Sequence, residues 1–275
     1  PGYYRQLPKL ADGPFAGYPR VLGVAWAYVA HTDSLLSQQV LGRYVRAYQT
    51  VQPLMIGELW AVAITLRIVL IENMRRLAVQ IIAGHELRMQ ADTLVEAVLS
   101  ARAVSDQAQT AAMRKAILPF EGHPLHDIVV GQIAKRLRGY DPAVTPLLGW
   151  LEDRVHKQGQ TIDDVVANVQ LRLGAANVTM RNIVTSMRLI SEMDWAEFFE
   201  DVSLVDDRLR TETNFAGMDF ATRNRYRTEI EILSRGSDQP ELAVTDTCLA
   251  LVAKSDGPHD RDPGHWLIGE GRPTL

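Results

Sequence analysis

The stretch "IGELWAVAITLRIVLIENMRRLA", residues 56–78, constrains the fold more than any other. It is apolar enough to suggest a membrane span, yet it carries Glu58, Arg67 and Glu72. On a helical wheel Glu58, Thr65, Glu72, Asn73, Arg76 and Gln80 fall within about 100° of one another, which makes one narrow polar stripe. Ile, Leu, Val, Ala and Trp occupy the other sides. The stretch is therefore expected to be packed nearly all round, with the stripe toward water or a polar surface. Glu72 and Arg76 stand at i, i+4 in the favourable order for an ion pair. Arg67 lies opposite the stripe, where a bilayer centre would charge about 2.5–3.5 kcal/mol for it. That cost favours a buried helix of a soluble domain, with no membrane span, in which Arg67 needs a carboxylate or carbonyl partner.

The remaining pattern is mainly helical, weakening around "AGHELRMQAD", after which "TLVEAVLSARAV" either extends the same helix or opens another. "GPFAGYPR" is a loop, and Leu36, Val40, Val45 and Tyr48 then run at near-helical spacing until Pro53. "ILPFEGHPLHD" and "RGYDPAVTP" break the middle of the chain, the latter offering Asp141 and Pro142 as a helix start. Ile162, Val166, Val169, Leu173, Ala176, Met180, Ile183 and Met187 then form a heptad seam that needs a partner helix. Thr161 and Asp164 resemble a capping box at its start. "MDWAEFFEDV" and "MDFATRNRYR" each offer an Asp to the following first turn, a faint repeat. No segment alternates as a strand does. The fold class expected is all-α, a multi-helix bundle or array with long antiparallel helices. A helical module over 1–254 is expected to end in a Gly/Pro-rich linker over 255–275, which holds four Gly and three Pro.

Chemistry is sparse. A formal charge of -4 gives no reason to expect nucleic acid as a partner. Cys248 is the single cysteine, which excludes a disulfide framework or a multi-cysteine zinc site and fits a reducing compartment. "PGYYRQLPKL" lacks the layout of a secretory signal, and the chain is expected to be a piece of something larger. His123, His126 and Asp127 have a metal-like spacing, but no third ligand is identifiable and two surface histidines beside a helix start are the simpler reading; "HDRDPGH" has the same weakness. No metal site is assigned, and no P-loop, dinucleotide glycine pattern, GxSxG elbow or HExxH is present. The candidates for substrate binding are Arg223, Arg225 and Arg227, which suit a phosphate or sugar nucleotide, and Glu58 with Trp60, a carboxylate beside an aromatic platform. Each has a structural alternative, a solvated helix face for the arginines and burial for the pair. No catalytic residue is assigned.

Three blocks carry a family resemblance: "YYRQLPKLADGPFAGYPRVLGVAWAYVAHTDS", "RAYQTVQPLMIGELWAVAITLRIVLIENMRRLA" and "FAGMDFATRNRYR". In this order they resemble the N-terminal region of bacterial cyclic β-1,2-glucan synthases, very large inner-membrane proteins. The resemblance implies a parent that polymerises glucose from UDP-glucose, with a divalent cation, and closes the chains into rings. It implies that the transferase, its membrane helices and a phosphorylase-like module come later, so this segment itself needs no cofactor and has the remaining modules as partners. The family's DxD and QxxRW-like signatures have no counterpart; "DRD" at Asp260–Asp262 lies in the Gly/Pro-rich tail. The segment is expected at the cytoplasmic face of the inner membrane. Three roles are open from sequence: a non-catalytic assembly or regulatory module, a module that contacts β-1,2-glucan, or an unrelated helical adaptor.

Overall fold

A computed structural model describes residues 6–102, 104–139, 146–257 and 259–275. Among them there are twelve α-helices, three short 3-10 turns and no strand, only an isolated bridge between Lys9 and Pro19. Asp141 and Pro142 lie outside the described residues. None of the described helices is long and apolar enough to cross a membrane. The chain forms two compact units, Ile71–Arg181 and the remainder on either side of it.

The first unit holds α1 (Arg20–His31), α2 (Gln38–Gln49), the first turns of α3 (Ile56–Arg102) and the end of α7 (Ile162–Glu192). It continues through α8 (Trp195–Val202), α9 (Leu204–Glu212), α10 (Phe220–Ser237), α11 (Glu241–Lys254) and α12 (Pro263–Leu267). The start of α3 is its organising point. Pro53 ends the preceding segment, and the first free amides of α3 are met by two buried carboxylates. Met55 donates to Glu58 Oε2 at 3.0 Å, and Ile56 donates to Glu241 Oε2 at 2.7 Å. Glu58 is fully buried and is gripped from both sides by Arg20, whose Nε donates to Oε1 at 2.9 Å. Arg20 also donates to the Pro53 carbonyl at 3.0 Å, so one guanidinium fixes both the helix and the chain entering it.

The polar stripe of α3 therefore does not face water in this unit. Glu58 and Thr65 are 0% and 1% exposed, whereas Ile64 and Ile68 are 41% and 47% exposed. Thr65 meets its hydrogen-bonding need inside the helix, donating to the Ala61 carbonyl at 2.7 Å. Arg20 neutralises Glu58, so polar groups sit inside while part of the apolar surface is left open. Arg67 is half-buried and donates to the Ile190 carbonyl at 3.4 Å. Glu72 engages Arg75 at 2.7 and 2.8 Å and Arg76 at only 3.9 Å, so the i, i+3 partner is the closer one.

The segment after Lys254, expected to be a linker, is packed instead. Leu267 is fully buried, Pro263 is buried, and Cys248 lies beneath them with its Sγ 3.9 Å from the Pro263 carbonyl. The Trp266 indole donates to the Asp260 carbonyl at 2.8 Å, and Arg272 pairs with Glu229 at 2.8 Å. The glycines serve close approach rather than flexibility: a Cβ on Gly264 would lie 2.3 Å from the Tyr226 hydroxyl.

The second unit is built on the later turns of α3 with α4 (Asp106–Ile117), α5 (Asp127–Leu137), α6 (Pro146–Lys157) and the first turns of α7. Val95 and Val98 join Val130, Ile133, Leu147 and Leu151 in an apolar core. Thr161 and Asp164 form the expected reciprocal cap, at 3.3 and 3.2 Å. His126 caps α5, its Nδ1 accepting from the Ile128 amide at 3.2 Å. Of the heptad seam, Ile162 and Val169 pack on this core, while Leu173 is 39% exposed.

Two outcomes are expected. Leu267→Ala lowers stability in urea denaturation by about 2–5 kcal/mol, as a core leucine does and a linker residue does not. Glu241 tests the start of α3. Burial, with Glu231 and Glu58 nearby, pushes its carboxyl up to about 7, against the pull of the Ile56 amide and Arg235. The folded state then holds a proton that the unfolded chain has released. Stability falls by on the order of 3 kcal/mol as pH rises from about 4.5 to about 7. Glu241→Gln keeps an acceptor for Ile56 and flattens most of that slope in melting curves recorded across pH.

Candidate functional site

Helix α10 carries the three arginines singled out in the sequence, and its geometry divides them. Asp219 caps the helix, its Oδ1 accepting from the Thr222 amide at 2.9 Å. Asp194 does the same for α8, accepting from Ala196 and Glu197 at 2.9 and 3.0 Å, so both halves of the faint repeat are helix caps. At 100° per residue Arg223 and Arg227 share one face, and Arg225 points the opposite way.

The inward face builds a buried ion network. Arg223 clasps Glu200 with two hydrogen bonds, 2.9 and 3.1 Å, and donates to the Met218 carbonyl at 2.7 Å. Arg227, only 1% exposed, donates to Asp206 at 3.0 and 2.5 Å and to Glu200 at 2.7 Å. Asp206 is fully buried and is steadied by the Ser203 hydroxyl at 3.1 Å. Burial alone would raise the Glu200 carboxyl, but hydrogen bonds and charge from Arg227 and Arg223 outweigh it and hold the group below the usual carboxylate range. Arg227 Nη1 has no acceptor among the described residues. Its guanidinium instead lies over Phe199, Phe220 and Phe215, with centroids 4.9, 5.3 and 5.8 Å away, where ring faces attract a cation.

Trp60 belongs to this cluster. It stacks on Phe199 with centroids 4.5 Å apart and planes 9° from parallel, and meets Phe220 edge-on. Thus Trp60, Arg223 and Arg227 are gathered around one set of phenyl rings. Glu58 is not among them: its carboxylate faces Arg20 at the start of α3.

The outward face of α10 borders an open hollow of about 460 Å³ that the C-terminal segment also lines. Thr222, Arg225 and Tyr226 line one side; His259, Asp262, His265, Ile268 and Glu270 line the other. Asp262 is held in place, its Oδ1 accepting from the Tyr226 hydroxyl and the Gly264 amide, both at 2.7 Å. Burial and this bond to Asp262 push the Tyr226 hydroxyl well above its ordinary value. The second unit has a broader groove of about 1020 Å³ along α5, α6 and the start of α7, with an apolar floor and charged rim including Arg88, Lys135 and Glu152. No group of three potential metal ligands occurs among the described residues.

Sequence reasoning missed Glu200, Asp206 and Glu270, and weighed Asp262 and His265 only within "HDRDPGH" and "DRD", which it set aside as a solvated linker. For the first two the signal was available: two arginines at i, i+4 beside aromatic residues, preceded by the acidic run "FFEDVSLVDD". For the pocket, the apolar triplet Trp266, Leu267 and Ile268 marked the tail as packed.

The division of labour on α10 has a direct test. Arg227→Met takes from the fully buried Asp206 its two closest donors, leaving Arg210 at 3.5 Å, and lowers stability by about 3–5 kcal/mol in chemical denaturation. Arg225→Ala, two residues away and on the outward face, changes it by less than about 0.5 kcal/mol.

No protein-family model matches the chain. Over 280 aligned residues it is 32% identical to the cyclic beta-(1,2)-glucan synthase NdvB of Rhizobium meliloti (strain 1021), a match that covers 99% of this chain. The chain spans about a tenth of that relative, 10% of its length. The blocks that carry the resemblance place Trp60 and Arg223 to Arg227 in the clusters just described. The chain is a homologue of one segment of a cyclic β-1,2-glucan synthase.

Proposed function

We propose that this chain is a helical, non-catalytic assembly segment of a cyclic β-1,2-glucan synthase, at the cytoplasmic face of the bacterial inner membrane. Its partners are the modules of the parent that polymerise glucose from UDP-glucose, with a divalent cation, and cyclise the product. The relationship along 99% of the chain to one tenth of such a synthase carries this reading.

Two features support the assembly role. The buried carboxylates Glu58 and Asp206 are each matched by an arginine, so they hold helices together rather than stand ready for proton transfer. The outer side of α3 leaves large apolar side chains open, Ile64 and Ile68 in the first unit and Ile71, Ile82 and Met89 in the second. Rows of this kind mark surfaces that another polypeptide covers.

The purified chain is expected to release no UDP and transfer no glucose when given UDP-glucose; turnover by the chain alone overturns the proposal. Within a complete synthase carrying this segment, Ile68→Asp should lower the amount of intact enzyme in membranes several-fold while leaving turnover per remaining molecule unchanged. Unchanged enzyme level and glucan output would remove the assembly role.

A further inference from the structure

The pocket on the outward face of α10 differs from the clusters of charge around Arg20 and Arg227. There Glu58, Glu200 and Asp206 are each answered by an arginine. Here, among the described residues, the side chains of Arg225, His259 and Glu270 have no hydrogen bond or ion pair, yet all three border one cavity. Asp262 is fixed by Tyr226 and Gly264 through Oδ1, which leaves Oδ2 to accept from a ligand. His265 is held edge-on against Trp266, with ring centroids 4.9 Å apart, and its Nε2 lies 3.6 Å from Asp260 Oδ1, so the imidazole is seated from two sides.

The chemistry of this lining selects a ligand class. A guanidinium donates only, two carboxylates accept only, and neutral imidazoles do both. A phosphate would meet Asp262 and Glu270 as like charges, and an ammonium would meet Arg225. A neutral molecule with several hydroxyls suits all of them, because each hydroxyl donates to a carboxylate and accepts from Arg225 or a histidine. Ile268 supplies an apolar patch for ring C–H groups. At about 460 Å³ the space lies toward the small end of the range of roughly 300–1,000 Å³ for small-ligand sites, enough to seat one or two hexose rings.

We propose that the pocket formed by Arg225, His259, Asp262, His265 and Glu270 is a sugar-binding site that takes one or two hexose units. That the sugar is β-1,2-linked glucose rests on the synthase reading above; that it is a neutral polyol rests on the pocket alone. Arg225 and Glu270 act as opposed hydrogen-bonding arms, and Asp262 and His265 form the fixed floor. The site is one of binding: the proposal includes no bond-breaking step.

A β-1,2-linked glucose disaccharide titrated into the full chain, followed through the Trp266 indole N–H resonance, tests it. A saturable shift with a Kd of about 1 mM is expected. Arg225→Ala and Glu270→Gln, both exposed and without a side-chain partner among the described residues, should each weaken binding about 5- to 10-fold while leaving the circular dichroism spectrum unchanged. Inorganic phosphate should produce no shift. The proposal is overturned by absence of a sugar-dependent shift up to about 10 mM, by phosphate binding in place of sugar, or by sugar binding that both substitutions leave intact. Preference for a β-1,4-linked disaccharide over the β-1,2-linked one upholds the pocket as a sugar site and counts against the synthase reading, so the two fail separately.

Discussion

The start of α3 is the constraint on which the first unit depends. A helix that begins inside a protein must find partners for its first amides, or leave them buried and unmet. Two carboxylates meet them here, Glu58 from the helix itself and Glu241 from α11. Bringing two acids to one helix terminus is favourable to the helix dipole and unfavourable between the acids. Arg20 resolves the conflict for Glu58 by a two-pronged grip, and protonation resolves it for Glu241, whose carboxyl sits near neutrality. The helix, the loop at Pro53, α1 and α11 are thereby tied at one place.

The arginine cluster under α10 applies the same logic with the signs reversed. Arg227 brings positive charge into the core, and Glu200 and Asp206 from two other helices meet it. Three phenyl rings complete its surroundings on the side where no oxygen reaches. Removing a partner from such a set costs more than the set itself contributes, because the survivors stay buried and charged. The cluster is best understood as fixing which helices lie together. It leaves the outward face of α10 free for another purpose.

What could be read from the sequence was local. The caps at Thr161, Asp194 and Asp219, the helical run from Ile56 and the all-α class follow from spacings of a few residues. The wording of three blocks identified the relationship that identity along the chain bears out. What escaped depended on distant partners. The place of Glu58 is set by Arg20, 38 residues earlier, so a helical wheel leaves it between water and a polar surface and cannot name the partner that buries it. Arg223 and Arg227 read as anion binders or as a solvated helix face because Glu200 and Asp206 lie on other helices. The tail reads as a linker because Gly and Pro dominate it, whereas Trp266, Leu267 and Ile268 pin it down and Gly264 lets it lie against Tyr226.

The lone thiol gains a use from this arrangement. Cys248 is fully enclosed beneath Pro263, and its surroundings push it up to about 12, so as folded it is a poor nucleophile shut away from reagents. Alkylation must wait until the C-terminal cover lifts. The residue is a built-in stopwatch: the pace at which it takes up a label records how often that cover comes away from the body, with no probe attached and no residue changed.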